Sequence, residues 1–150
     1  MSIVVRYPGR ACLLGEHCDW AGGSSLALPI PLAIRVEAEP ASQGIRAQST
    51  LHGELLEGRW PLTGDRSPRR GPLRFIGGAA HLLSERYQPP APCLLRVEST
   101  LPAGRGFSSS AAFCLAVLDS LARTSGTILE AEELAELAYQ LEHDLLGVAC

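Results

Sequence analysis

A chain of 150 residues, 46% of them hydrophobic and 19% charged, has the balance of one globular domain with a core of its own, which excludes intrinsic disorder and collagen-like repeats. A formal net charge of −3 gives no electrostatic pull toward nucleic acid, and no apolar run approaches the ~20 residues of a membrane-spanning helix, so neither partner is expected. Every basic residue is arginine, so any cationic catalyst must be a guanidinium and lysine chemistry is excluded.

Segments Ile3 to Tyr7 and Leu26 to Glu39 are rich in Val, Ile and Leu and alternate in part, with Arg35, Glu37 and Glu39 set against Ile34, Val36 and Ala38. That is the pattern of strands in one sheet. Between them, residues 8–24 carry glycine and charge but few apolar side chains, which predicts the end of a strand and then a loop or short helix that holds chemistry. Further strands are predicted at Ile45 to Leu51 and Leu94 to Ser99. The stretch GDRSPRRGP (64–72) reads as an exposed loop. Its Arg66, Arg69 and Arg70 are a candidate anion site, although such a charge run is ordinarily a solvated loop. A helix is expected near Leu73 to Tyr87, followed by the stiff connector QPPAP (88–92).

After Thr100 a glycine-rich turn feeds a helix from about Ser108 to Arg123. It is apolar nearly all round, so it is expected to be central and buried. The last helix opens on Thr127-Ile128-Leu129-Glu130, a capping-box spacing, with Glu132, Glu133 and Glu136 near the positive end of its dipole. It buries Leu134, Leu137, Ala138, Leu141 and Leu145 and stops at Gly147. On an ideal helix Glu142 falls at the edge of that stripe, where a carboxylate can face a site. Asp119 and Asp144 are expected to be exposed. The cysteines, Cys12, Cys18, Cys93, Cys114 and Cys150, are odd in number, form no C-x-x-C pair and follow an N-terminus without a signal-peptide pattern, which predicts reduced thiols in a cytoplasm. Cys93 and Cys114 sit in apolar runs and read as small hydrophobes.

Two segments concentrate chemistry. In LPAGRGFSSSAA (101–112), Gly104 and Gly106 permit close backbone approach, and Ser108, Ser109 and Ser110 bring N–H groups and hydroxyls to a helix N-terminus. Such a segment is an anion cradle. A serine hydroxyl there could also ligand the magnesium of a nucleotide, although no Gly-Lys-Ser/Thr of a P-loop is present; the plainer alternative is a serine-capped helix after a turn. In YPGRACLLGEHCDWAGGSS (7–25), Arg10, Glu16, His17 and Asp19 lie close together, a set suited to the hydroxyls of a polyol. Two alternatives stand beside it: an ion network of Arg10 with Glu16 and Asp19, and a metal cluster of His17, Cys18 and Asp19. The second suffers from adjacent side chains that diverge and from the absence of a spaced ligand set.

PGRACLLGEHCDW resembles the galactokinase signature around Pro-Gly-Arg and Gly-Glu-His-x-Asp-Tyr, LPAGRGFSSSAAF is similar to the ATP-binding loop of the GHMP small-molecule kinases, and LEHDLLGVAC resembles the galactokinase helix before Cys-Gly-x-Met-Asp-Gln. The chain is therefore similar to the GHMP kinases, and within them to the galactokinases. The resemblance implies an α+β fold of the ribosomal protein S5 domain 2-like type, a mixed sheet packed with helices. Residues 1–150 would form the N-terminal, ATP-binding domain, incomplete and without its C-terminal partner. It implies an ATP- and Mg2+-dependent sugar kinase of the cytoplasm. Arg10 would be the catalytic cation near the transferred phosphoryl group, and Glu16, His17 and Asp19 would hold sugar hydroxyls. Gly104, Arg105, Gly106, Phe107, Ser108, Ser109, Ser110 and Ala111 would wrap the ATP phosphates, with Ser110, and Ser109 as a second choice, approaching magnesium together with Glu142. Mevalonate-type relatives resemble Pro-Gly-Lys where this chain has Arg10.

Trp20 stands where the family has Tyr, Cys18 where it has Thr, Arg105 where it has a small residue and Phe107 where it has Leu. Trp20 would reshape the sugar pocket, which leaves a uronic-acid or arabinose kinase open. Arg105 would add a phosphate contact or, as is common in a glycine turn, point to solvent. The family's hydroxyl-activating aspartate lies beyond Cys150, so these residues alone are expected to be inactive. A sugar and ATP sensor without turnover and a nonfunctional fragment are the remaining alternatives. Without a second half, apolar surface on the buried helices is expected to be exposed.

Overall fold

Alternation along the strands and apolar periodicity along the helices divide the chain into β1 (Ile3–Leu14), β2 (Leu26–Pro40), β3 (Ile45–Leu51), β4 (Glu54–Trp60), α1 (Arg74–Arg86), β5 (Cys93–Ser99), α2 (Ser109–Thr124), α3 (Ala131–Tyr139) and a π-helical turn (Gln140–Leu145). The structure, a computed structural model, describes residues 1–16, 18, 21–51, 54–64, 73–102, 104–145 and 147, with the backbone alone at 51, 54, 144 and 145. His17, Asp19, Trp20, the Arg66, Arg69 and Arg70 cluster and Cys150 therefore lie outside the described residues.

The strands form one sheet in the order β1-β2-β5-β3-β4. All neighbours are antiparallel except β3 and β5, which run parallel. The fold is the expected α+β arrangement of a mixed sheet packed with helices. Val5, Val36, Ala38, Ile45, Ala47, Leu95 and Val97 point to one face and are buried there. On that face α2 packs against β1 and β2 and is flanked by α1 and α3. Val117, Leu118 and Leu121 of α2 are 0% exposed, as a helix apolar all round requires; each such side chain contributes roughly 1.5–3 kcal/mol on burial. Phe75 of α1 meets Phe113 of α2 with ring centroids 5.7 Å apart.

Several boundaries differ from expectation for identifiable reasons. β1 runs through Pro8 and Gly9 to Leu14 because it is an edge strand, where proline is tolerated, and its register shifts between Pro8 and Arg10 and again between Cys12 and Leu14. β4 was not anticipated, since charge and Gly58 interrupt its pattern. Trp60 explains the glycine: a Cβ on Gly58 would lie 2.2 Å from the indole Cη2 that covers it. The capping box does not form. Glu130 is the N-cap of α3, because Thr127 already closes α2, its N–H donating to the Ala122 carbonyl at 3.0 Å while Gly126 donates to Arg123 at 3.1 Å. With Gly126 at φ +81°, these bonds are a Schellman motif.

Asp119 is 4% exposed, contrary to the exposed position expected of it. Among the described residues no large apolar side chain of α1 or α2 is exposed either. Exposed leucines lie instead on the sheet, on the β1–β2 hairpin, where Leu13, Leu14, Leu26 and Leu28 are 54%, 68%, 49% and 50% exposed, and at Leu55 of β4. Cys93 and Cys114 are buried. No described helix is long and apolar enough to cross a membrane.

Candidate active site

The glycine-rich segment leaves β5 through Leu101, whose N–H donates to Ser99 Oγ at 3.1 Å. Gly104, Gly106 and Ser108 then take φ of +67°, +75° and +54°, and among the described residues Ser108 is the one non-glycine with positive φ. Positive-φ residues thus occur at every second position from 104 to 108, and turns of this kind can gather successive N–H groups into one concavity. Holding serine in that conformation costs roughly 1–2 kcal/mol. The segment runs straight into α2, whose first N–H groups, at Ser108, Ser109, Ser110 and Ala111, have no acceptor inside the helix, as the first intrahelical bond, Ala112 N–H to the Ser108 carbonyl, shows. Ser108 makes no capping bond and the first turn holds no acid, so the simple serine cap is not what is built. A Cβ on Gly104 or Gly106 would meet nothing within 4 Å. Both glycines thus face open space on their Cα side, and the helix dipole favours an anion at the N-terminus of α2. Arg105 is exposed and Phe107 is half-buried against the core.

The first motif is stitched directly to this cradle. Gly9 is buried, and a Cβ on it would lie 2.4 Å from Leu101 Cδ2 and 2.7 Å from the Phe107 carbonyl oxygen. Only glycine lets β1 come so near. The Arg10 N–H then donates to that same carbonyl at 3.1 Å, which fixes the exposed Arg10 beside the mouth of the cradle. Beyond β1, Gly15 at φ +76° turns the chain so tightly that a Cβ would fall 2.3 Å from the Ser24 carbonyl. The loop it begins is closed by Cys18 N–H to Gly15 O at 2.9 Å and Gly23 N–H to Cys18 O at 2.7 Å. Glu16 is exposed on this loop. No salt bridge joins Glu16 to Arg10, and no group of three His, Cys, Asp or Glu side chains suited to a metal occurs among the described residues.

Behind the cradle lies a network that sequence reasoning missed. Tyr7 Oη donates to Asp119 Oδ2 at 2.8 Å, and Arg123 Nε donates to Asp119 Oδ1 at 2.6 Å. Burial first, then the bond to the Asp119 carboxylate, hold the Tyr7 phenol well above its ordinary pKa. The contact clamps β1 onto α2 two residues before Gly9. Inward alternation at Val5 and Tyr7 was the available signal, but the partner lies 112 positions away. Glu142 is 6% exposed, deeper than the edge position expected of it, because the helix widens to a π turn over Gln140–Leu145 and so rotates the residues after Tyr139 away from the α-helical phase. π turns of this kind concentrate at functional sites. This turn packs against both α1 and α2, and α2 carries the half-buried Ser109 and Ser110 in its first turn.

Comparison with known proteins fits this arrangement. The sequence pattern described as "GHMP kinases N terminal domain" matches residues 74–150. The chain belongs to the GHMP kinase family. A second pattern, the galactokinase galactose-binding signature, matches residues 2–40 of this GHMP kinase domain. A galactokinase of Chloroflexus aurantiacus is 35% identical over 149 residues, covering 98% of this chain and 38% of that protein. The GHMP domain thus spans well under half the length of that relative. Among solved structures, a mevalonate kinase superposes with a TM-score of 0.84 at 19% identity over 98% of this chain and 48% of that one. The Lactococcus lactis galactokinase complexed with galactose gives 0.83 at 22% identity over 99% of this chain and 39% of that one. At such identities the likeness is one of fold.

Proposed function

We propose that this domain is the nucleotide-binding N-terminal part of a galactokinase-like sugar kinase, which transfers the γ-phosphoryl group of ATP to a monosaccharide hydroxyl. The observation that carries the reading is the junction of Gly9 and Arg10 with Phe107, which anchors the backbone of Arg10 beside a backbone anion cradle. Phosphoryl transfer asks a protein for positioned phosphates and compensating charge more than for covalent chemistry. In this reading the N–H groups of residues 104–111 bind the ATP phosphates, and Arg10 offsets charge that develops on the transferred group. Glu16, with His17 and Asp19, accepts hydrogen bonds from sugar hydroxyls and so orients the attacking oxygen. Ser110 or Ser109, together with the buried Glu142, supplies the oxygen donors a hard cation prefers. Magnesium there would neutralise the phosphate oxygens. Asp119, held by Tyr7 and Arg123, is occupied and is not the base that takes the hydroxyl proton.

The match of residues 2–40 to the galactose-binding signature and of the whole chain to galactokinase sequences favours a hexose of the galactose type. The test is an amide NMR titration of the domain with a nonhydrolysable ATP analogue and magnesium, followed by galactose. The reading expects nucleotide shifts at residues 104–112 and sugar shifts at residues 10–16. Nucleotide shifts elsewhere, or none, would overturn it. Nucleotide binding without any response to galactose, where arabinose or galacturonate does respond, would move the substrate to that sugar.

A further inference from the structure

The face of the sheet turned away from the helices carries alternating charge, and nearly all of it is matched. Arg96 donates to Glu39 at 3.3 Å and to Gln48 at 3.2 Å, and Gln48 donates to Glu57 at 2.7 Å. Arg35 bonds Glu37 at 2.8 Å and lies 3.5 Å from Glu98. Arg6, directly opposite Arg35, donates to the Pro31 carbonyl at 2.6 Å. Arg46 and Arg59 break the pattern. They are cross-strand partners on β3 and β4, and both point outward, since Ile45, Ala47 and Trp60 point into the core. Among the described residues neither guanidinium has an acceptor, and the next strand offers Arg46 only Leu94 as its neighbour. Like charges directly opposite in a ladder are destabilising. Arg35 and Arg96 on this face meet carboxylates, whereas Arg46 and Arg59 face each other.

The pair also shares the walls of two adjoining hollows. One, of ≈ 260 Å³, has Gln48, Glu57 and Leu94 beside the two arginines. The other, of ≈ 360 Å³, is completed by Ser42, Gln43 and Gly44 of the turn before β3. Two guanidinium forks with a hydroxyl and an amide nearby match the oxygens of a phosphate-type anion, and the Glu57 carboxylate is already engaged by Gln48. An extended polyanion would meet Glu37, Glu39, Glu57 and Glu98 on the same face, so the ligand must be compact. We propose that Arg46 and Arg59 form a binding site for a small phosphate-bearing molecule on the open face of the sheet. It is separate from the cradle, which lies at the end of α2 on the other face.

The experiment is an amide NMR titration of the 150-residue domain with inorganic phosphate and, separately, with a hexose monophosphate. Saturable shifts at residues 42–48 and 57–60 are expected with one or both. In Arg46→Gln and Arg59→Gln the apparent Kd should rise roughly tenfold or more, the loss of one charge-assisted contact. Both side chains are exposed, so the fold should survive. Each variant should also have a higher melting temperature than the parent without phosphate, because a like-charge contact is relieved. Tighter binding of the hexose monophosphate than of phosphate would identify a sugar phosphate as the ligand, and equal binding would identify the free ion. Absence of saturable shifts at these residues, or shifts unchanged in both variants, would overturn the site. Shifts confined to residues 104–112 would overturn it too, while leaving the nucleotide reading untouched.

Discussion

Replacing Gly9 with alanine tests the junction on which the functional reading depends. The new methyl would sit 2.4 Å from Leu101 Cδ2 and 2.7 Å from the Phe107 carbonyl oxygen. The leucine tip can rotate, but the carbonyl belongs to the backbone of the cradle and can retreat only by pulling the loop away from β1. Overpacking of this kind costs about 1–3 kcal/mol. Stretching the Arg10 N–H bond to Phe107, now 3.1 Å, adds up to about 1 kcal/mol. The sum, about 1–4 kcal/mol, is a sizeable part of the ~5–15 kcal/mol that holds a domain together, yet the variant should fold. Urea unfolding followed by circular dichroism is the assay. With a slope near ~2 kcal/mol/M the midpoint should fall by about 0.5–2 M, and affinity for the nucleotide analogue should fall with it. Gly22→Ala is the control, since it meets no neighbour within 4 Å and loses only by its φ of +79°, about 1–2 kcal/mol. A Gly9→Ala midpoint within ~0.25 M of the parent, under about 0.5 kcal/mol on the same slope, would refute the close-approach argument.

Three further outcomes are expected. Glu142→Gln, which keeps shape and removes charge, should leave the domain folded but abolish the gain in nucleotide affinity that magnesium brings; calorimetry with and without magnesium decides it. Tyr7→Phe removes a bond to a buried carboxylate and should cost about 1–3 kcal/mol, read by the same urea assay, and leave the Asp119 to Arg123 bond in place. Alkaline pH should weaken the fold through Tyr7 and Tyr87. Burial and then the bond to Glu133 push the Tyr87 phenol up to about 12, and the Tyr7 phenol is raised as well. The folded state therefore keeps protons that the unfolded chain releases near ~10. That stability is fully present below pH ~10 and is lost as pH rises from there toward the folded values. Urea midpoints at rising pH should fall more gently in Tyr87→Phe than in the parent, and parallel curves would remove Tyr87 from the account.

What the sequence disclosed was whatever depended on neighbours along the chain. Gly104, Gly106 and the three serines ahead of an apolar helix carry the cradle within a dozen residues, and β2, β3 and β5 show through their alternation. What it hid was set by residues far apart or by competing local bonds. Asp119 looked like a surface acid until Tyr7 was brought to it from the opposite end of the chain. Thr127 had the chemistry of an N-cap, but Gly126 had already committed its N–H to the end of α2. Glu142 was placed on an ideal helix that the π turn then widened. β4 went unread because its inward glycine makes sense only once the Trp60 indole is seen lying over it. The close approach at Gly9 is likewise visible only when Phe107 is opposite it, although the glycine itself stood in a recognisable motif.

The order of strands carries a consequence for how the chain folds. β1 with β2 and β3 with β4 are hairpins of neighbours in sequence, each able to zip as soon as its second strand exists. β5, the last of these five strands in sequence, lies between them, antiparallel to β2 and parallel to β3. Until β5 arrives, two sheet edges stand open and the two hairpins have no common core, so the long-range closure that joins them sets the rate. The half-made chain is accordingly at its most aggregation-prone during the synthesis of α1, when both edges exist and their filler does not. Once β5 slots in, its C-terminal end delivers Leu101 and the glycine loop to Gly9. Completion of the sheet and assembly of the cradle are one event.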